Sequence, residues 1–288
     1  MVTFSHSNRR SNQAIAAALK YLCILCTLFQ LGNIAAAQAP NSTAYVYAPS
    51  GLKLRETPSM EGKKLASLPY GTKVKCLDGK IAEPFSVDGL TGNWQKVKYA
   101  DLQGYLFDGY LAPLPAPDRS NTVWVTLKDY AKQYLQAKGK PQQLSGPVFN
   151  DTTHTRNGYL QAYDHGIDFY DYSEECDYLE VLHCRELNLQ QAFLVVTSYL
   201  ADFRGISLDI ATTEGQDPLT GEPARFANLP TAANRNFQTG RYLFLIPKEG
   251  GGWQKIDLDF DSEPGSGSVE IKEKGEHEVV ITFTYGCH

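Results

Sequence analysis

Period-two alternation of apolar and polar residues, broken at short intervals by turn-forming residues, commits two long stretches of this chain to antiparallel sheet. In the first stretch, Ala44-Tyr45-Val46-Tyr47 and Leu52-Lys53-Leu54-Arg55 precede a break at Thr57-Pro58-Ser59. Leu65 to Leu68 follows, then a turn at Pro69-Tyr70-Gly71 and renewed alternation from Thr72 to Leu77. Beyond a polar loop near Asp88-Gly89, Trp94 to Tyr99 and Gly104 to Phe107 read as a hairpin across Ala100-Asp101. In the second stretch, Tyr242 to Ile246, Trp253 to Phe260, Ser268 to Lys272 and Val279 to Tyr285 read as a closing antiparallel sheet. Its turns fall at Glu249-Gly250-Gly251-Gly252 and Lys274-Gly275.

Between these stretches the period changes. Thr126 to Lys138 predicts a helix: Thr126 can cap it, and Leu127, Tyr130, Ala131, Tyr134 and Leu135 form one stripe. Leu187 to Asp202 predicts a second, capped by Asn188, with Leu189, Ala192, Phe193, Val196 and Leu200 at helical spacing. Tyr159 to Tyr163, Gly166 to Tyr170 and Tyr178 to Leu182 read as strands. Helices beside such a run of hairpins point to an α+β region over residues 119–288.

Pro113-Leu114-Pro115-Ala116-Pro117 is a proline-spaced, semi-rigid segment, and the expected boundary lies there, at residues 113–118. Charge supports two units. Residues 38–117 hold 9 bases and 7 acids, whereas residues 118–288 hold 15 bases and 25 acids.

The first 37 residues read as a secretory signal. Arg9, Arg10 and Lys20 supply positive charge, Tyr21 to Phe29 an apolar run, and Ala35-Ala36-Ala37 the small residues of a cleavage site after Ala37. The apolar run is far shorter than the roughly 20 residues of a spanning helix. An exported, periplasmic or secreted chain with no span after cleavage is expected; an uncleaved N-terminal anchor is the rival. Residues 38–43 are a flexible lead-in. Four cysteines then remain: Cys76, Cys176, Cys184 and Cys287. An oxidising compartment permits disulfides. Cys176 with Cys184 is the expected pair because the two are close in sequence, with Cys287 to either of them as the alternatives.

Over residues 44–112 the chain resembles the bacterial SH3 domain. Gly51-Leu52-Lys53-Leu54-Arg55-Glu56-Thr57-Pro58-Ser59 is similar to the opening of that family, and Leu68-Pro69-Tyr70-Gly71-Thr72-Lys73-Val74 to its middle step. Gly92-Asn93-Trp94-Gln95-Lys96-Val97, Gly104-Tyr105-Leu106 and Tyr110-Leu111 resemble its close. Lys53, where the family often has Asn, and a longer insert between Leu77 and Trp94 depart from the pattern. The resemblance implies an SH3-like barrel that binds rather than catalyses. Leu52, Leu54, Leu65, Leu68, Val74, Val97 and Leu106 supply a small interior. Tyr45, Tyr47, Trp94, Tyr99, Tyr105, Phe107 and Tyr110 are the candidate binding residues, because aromatic rings present wide amphipathic faces to glycan or peptide. Packing of Trp94, Tyr105 and Tyr110 inside the barrel is the competing use.

Chemistry is sparse elsewhere. Asp164-His165-Gly166-Ile167-Asp168, with Asp171, Glu174, Glu175, Asp177 and Glu180 after it, has the residue types of a metal site or general base. Its spacing fits no ligand set, and it reads as an acidic exposed edge. His183 and Cys184 are adjacent and so point to opposite faces of a strand; His154 or His165 is the imidazole that could instead approach Cys184. Asp257-Leu258-Asp259-Phe260-Asp261-Ser262 imitates a calcium loop without its glycine, and alternation explains it: Ile256, Leu258 and Phe260 inward, the aspartates outward. His277 and His288 are isolated. No catalytic residue, metal site or cofactor is assigned, and an acidic surface disfavours nucleic acid. The reading is a non-catalytic binding protein of the bacterial envelope, docking on peptidoglycan or a protein partner; a wall-acting hydrolase targeted by the barrel is the alternative.

Overall fold

The computed structural model describes residues 42–120, 125–147, 155–175, 177–217, 220–230, 238–263, 265–275 and 277–287. The expected signal, His154, Cys176 and His288 lie outside them. All described residues fall in one compact unit, and among them no helix is long and apolar enough to cross a membrane.

The N-terminal sheet is antiparallel and has seven strands: β1 (Thr43–Val46), β2 (Leu52–Arg55), β3 (Lys64–Leu68), β4 (Lys73–Val87), β5 (Leu90–Tyr99), β6 (Leu102–Phe107) and β7 (Leu111–Ala112). Their order, β3-β2-β6-β5-β4-β1-β7, is open. Val46, Leu54, Leu68, Val74, Val97, Leu106 and Leu111 form its buried interior, with Leu52 and Leu65 packed against it. The insert between Leu77 and Trp94 is an extension of the β4–β5 hairpin. Asp88 and Gly89 make its two-residue turn, both at positive φ (52° and 76°), the conformation that Asp-Gly turns supply.

The second sheet joins two antiparallel meanders. The first comprises β8 (Ala137–Pro147), β9 (Thr155–Tyr163), β10 (Ile167–Asp171) and β11 (Tyr178–Cys184). The second comprises β12 (Thr213–Gln216), β13 (Pro223–Asn228), β14 (Gln238–Pro247), β15 (Trp253–Ser262), β16 (Gly265–Gly275) and β17 (Glu278–Cys287). β17 pairs with β11 from Tyr178↔Tyr285 to Cys184↔Val279, which closes the ten strands into one sheet. The expected strands are all present, most of them longer than read, and β10 is shifted by one residue. β8, β12 and β13 were not foreseen, because Lys138-Gly139-Lys140-Pro141-Gln142-Gln143 and Thr213-Glu214-Gly215-Gln216 are polar edge-strand segments without alternation.

Helix is a minor part of this region. α1 (Leu127–Tyr134) carries the expected Thr126 cap but ends at Leu135, because the chain turns extended there and enters β8. α2 (Leu189–Tyr199) is capped by Asn188. Every residue of α2 except Gln190 is buried, which is the pattern of a helix enclosed on all sides rather than an amphipathic surface helix. It packs on β15, β16 and β17 on one side and on β7 and the turn Asp108–Tyr110 on the other.

The larger hydrophobic core therefore crosses the proline segment. Tyr47, Leu90, Phe107, Ala112 and Leu114 belong to it with Tyr130, Phe193, Val196, Leu258, Ile281 and Phe283. Each Leu, Ile, Val or Phe among them contributes on the order of 1.5–3 kcal/mol when fully buried.

Cys184 corrects the expected pairing. It is a buried free thiol, as is Cys76, whereas Cys287 is disulfide-bonded. The physical reason is the strand itself: from Tyr178 to Cys184 it rises about 3.3 Å per residue, roughly 20 Å in all. Half-cystines need Cα atoms within about 7 Å.

Candidate functional site

Proline has no backbone N–H, yet the carbonyls of a proline-spaced segment still need donors. Tyrosine hydroxyls supply them from both sides. Tyr47 Oη lies 3.2 Å from the Leu114 carbonyl and 3.0 Å from that of Pro115. Tyr70 donates to Pro117 O (3.0 Å) from the N-terminal sheet, and Tyr130 donates to Pro115 O (3.0 Å) from α1. Tyr134 Oη accepts from the Asp118 N–H (2.8 Å). Tyr130, Tyr134 and Tyr199 pack ring against ring behind this clamp. Burial raises the Tyr47 and Tyr130 hydroxyls well above the ordinary tyrosine range, so both stay neutral donors.

A second contact lies at the tip of the β4–β5 hairpin. Ser207 Oγ lies 2.9 Å from Asp88 O, and a Cβ on Gly89 would collide with the backbone of Leu208 and Asp209. Gln190 on α2 closes the same side, accepting from the Thr91 N–H (2.6 Å) and donating to the Thr91 carbonyl (3.3 Å).

Between the clamp and the hairpin tip lies a cleft of about 280 Å³. Tyr47, Leu90 and Tyr110 form one wall, and Phe193, Leu194, Thr197 and Ser198 of α2 the other. Asp88, Ser207, Asp209 and Arg119 also line it, the two aspartates at exposed positions. Tyr110 donates to Asp88 Oδ2 (2.5 Å) and Ser207 donates to Asp209 Oδ1 (2.5 Å). Burial, then the bond and charge of Asp88 and the charge of Asp209, raise the Tyr110 hydroxyl far above its usual range. Arg119 lies over the Tyr70 ring, 5.2 Å from its centroid, an arrangement that leaves the guanidinium hydrogens for another group.

The seven aromatic candidates separate by environment. Tyr47, Trp94 and Phe107 are buried; Trp94 and Phe107 stack with Phe85 at 5.4 and 4.7 Å. Tyr45, Tyr99 and Tyr105 are half-buried, with Lys73 over the Tyr45 ring. Tyr110 is half-buried and lines the cleft with Tyr47. Asp88, Arg119, Ser207 and Asp209 were not foreseen. The Asp88-Gly89 turn was visible as a turn, but nothing local reveals what a hairpin tip touches 120 residues away.

The other chemical candidates do not converge. Cys184 faces the core, and burial pushes its thiol up to about 12. His183 faces the opposite side of β11 and meets Glu278 at 2.5 Å. His165 occupies a positive-φ turn beside Asp164, and Asp168 pairs with Arg185.

Two expectations about acids are corrected. Glu180 and Asp171 are buried, not part of an exposed edge, because α1 docks its first turn over them. Glu180 accepts from the Lys128 N–H (3.0 Å), and Asp171 pairs with the Lys128 ammonium. Burial pushes Glu180 up to about 7. For Asp171 the Lys128 and Ser173 bonds outweigh burial and hold it low.

On β15, Ile256, Leu258 and Phe260 do face the core, but Asp257 is not solvated. The β12–β13 turn lays Asp217 over it. Lys255 Nζ lies 2.6 Å from Asp217, 2.8 Å from Asp257 and 3.5 Å from Glu270. Burial pushes Asp257 and Asp259 up to about 6, while the carboxylates overcome burial and hold Lys255 above its usual range. A raised lysine is a poor nucleophile, so this network is structural.

Residues 50–112 match the family model described as bacterial SH3 domain. No curated protein and no solved structure matches the chain.

Proposed function

We propose that this chain is an exported, non-catalytic binding protein of the bacterial cell envelope that docks on peptidoglycan or on an envelope protein. The carrying observation is the SH3 match over residues 50–112, since such domains are typically cell-wall binding modules. The cleft adds where binding would occur: it is concave and apolar-walled with a few polar groups, the usual form of a ligand site. It is also the place where one half-buried candidate aromatic, Tyr110, meets charges from both sides of residues 113–118. Nothing in the placement of Cys184, His165 or His183 favours the hydrolase reading.

The test is retention of the chain on purified sacculi, measured beside an unrelated SH3-fold protein of similar charge. Retention above that control, reduced by alanine at Tyr110, is the expected result. Retention equal to the control sinks the peptidoglycan version and leaves a protein partner, which cross-linking on whole cells would identify. Mass spectrometry of the exported form tests cleavage after Ala37.

A further inference from the structure

The geometry points to a small zwitterion, an amino acid or the end of a short peptide, as the ligand of the cleft between the N-terminal sheet and α2. Arg119 would take its carboxylate, and Asp88 with Asp209 its ammonium group. This rests on the reading of the cleft as the binding site and adds the class of ligand.

Three observations carry it. The first is charge placement: one guanidinium and two carboxylates line the same cavity. Among the described residues Arg119 makes no ion pair, and its Nε is buried without a hydrogen-bond partner. A guanidinium stripped of part of its water gains more from a carboxylate than one in bulk solvent. The second is the acidic side. Asp88 and Asp209 each accept one neutral hydroxyl, from Tyr110 and Ser207, and among the described residues neither makes an ion pair. Two like charges held beside one tyrosine are relieved by a cation between them. The third is size. A cavity of about 280 Å³ is just under the ~300 Å³ at which drug-sized pockets begin, which suits an occupant of one or two residues. Thr197 and Ser198 on α2 also line it.

Isothermal titration of the purified chain with alanyl-alanine, its N-acetyl form, its C-terminal amide and free alanine tests this. Saturable binding of alanyl-alanine is expected, weakened at least tenfold by acetylation, by amidation and by Arg119→Gln. Free alanine binding as well as the dipeptide assigns a free amino acid; dipeptide binding alone assigns a peptide end. The proposal is overturned if alanyl-alanine fails to titrate, or if the blocked forms bind equally. Circular dichroism checks Arg119→Gln; should that variant not fold, Asp209→Asn and the blocked ligands still decide. Retention on sacculi without dipeptide binding overturns the ligand class alone, whereas loss of both overturns the site as well.

Discussion

Val46, Leu106 and Leu111 turn into a core that the SH3 region keeps to itself, whereas their immediate neighbours Tyr47, Phe107 and Ala112 join a core completed by α1, α2 and the ten-stranded sheet. Adjacent strand residues point to opposite faces, so three neighbouring pairs divide between the two cores. One face makes the region an SH3-like unit. The other makes it part of a larger body, and α2 packs on the side that carries Phe107, Tyr110 and Ala112. What remains open between them is the cleft.

The strongest way to break this comparison is to weaken the shared core alone. Phe193→Ala empties a buried site on α2 and is expected to cost about 3–5 kcal/mol. Leu54→Ala, in the private core, is expected to cost about 2–5 kcal/mol. Calorimetry should show one transition in both variants. Two separated transitions in Phe193→Ala would mean that the regions fold independently and that the shared core is only a contact.

A smaller effect concerns the anchor of α1, which carries two of the clamping tyrosines. Glu180 is pushed up to about 7 from an ordinary 4.5, so the folded state holds its proton more tightly than the unfolded state. Its favourable contribution is complete below about pH 4.5 and lost as the pH rises through about 7. Asp257 and Asp259, pushed up to about 6, act in the same direction over a lower window. Glu180→Gln should therefore raise stability at pH 8 by about 1–3 kcal/mol and change little at pH 4. Chemical denaturation at both values measures this, and an unchanged difference between them would remove Glu180 as the anchor.

Smaller still is the clamp bond itself. Tyr130→Phe keeps the ring and removes the donor to the Pro115 carbonyl, with an expected loss of about 1 kcal/mol. Tyr47 points at the same carbonyl, so the double change with Tyr47→Phe should cost more than the two single changes together. Simple additivity would mean that the tyrosines do not share a task. At the other extreme, Asp168→Asn breaks an exposed pair with Arg185 and should shift stability by no more than about 0.5 kcal/mol. A larger loss would show that the exposed end of β10 matters to the fold.

The SH3 motifs were legible because they are local: glycines at tight bends, Leu54, Leu68, Val97 and Leu106 at alternating positions. The double-faced burial had a fainter signature. Ala44 to Ala48, Leu106-Phe107 and Tyr110-Leu111-Ala112 are continuous apolar runs rather than strict alternation, the pattern of strands covered on both faces. The two helices and their caps were readable for the same local reason. The disulfide reading failed on closeness in sequence, although the strand already visible between Cys176 and Cys184 argues against it.

Sequence alone determined that this chain is built from antiparallel strands, that residues 50–112 form an SH3-like unit, and where α1 and α2 begin. Periodicity, capping and turn chemistry act over a few residues, so a linear reading captures them. Only the tertiary structure decided that β11 pairs with β17, that α2 is enclosed between two sheets, and that Asp88, Arg119 and Asp209 line one cleft. Those relations join residues up to about 120 positions apart. They depend on which faces meet, and polar side chains such as Arg119 carry no mark in the sequence of the neighbours that burial will give them.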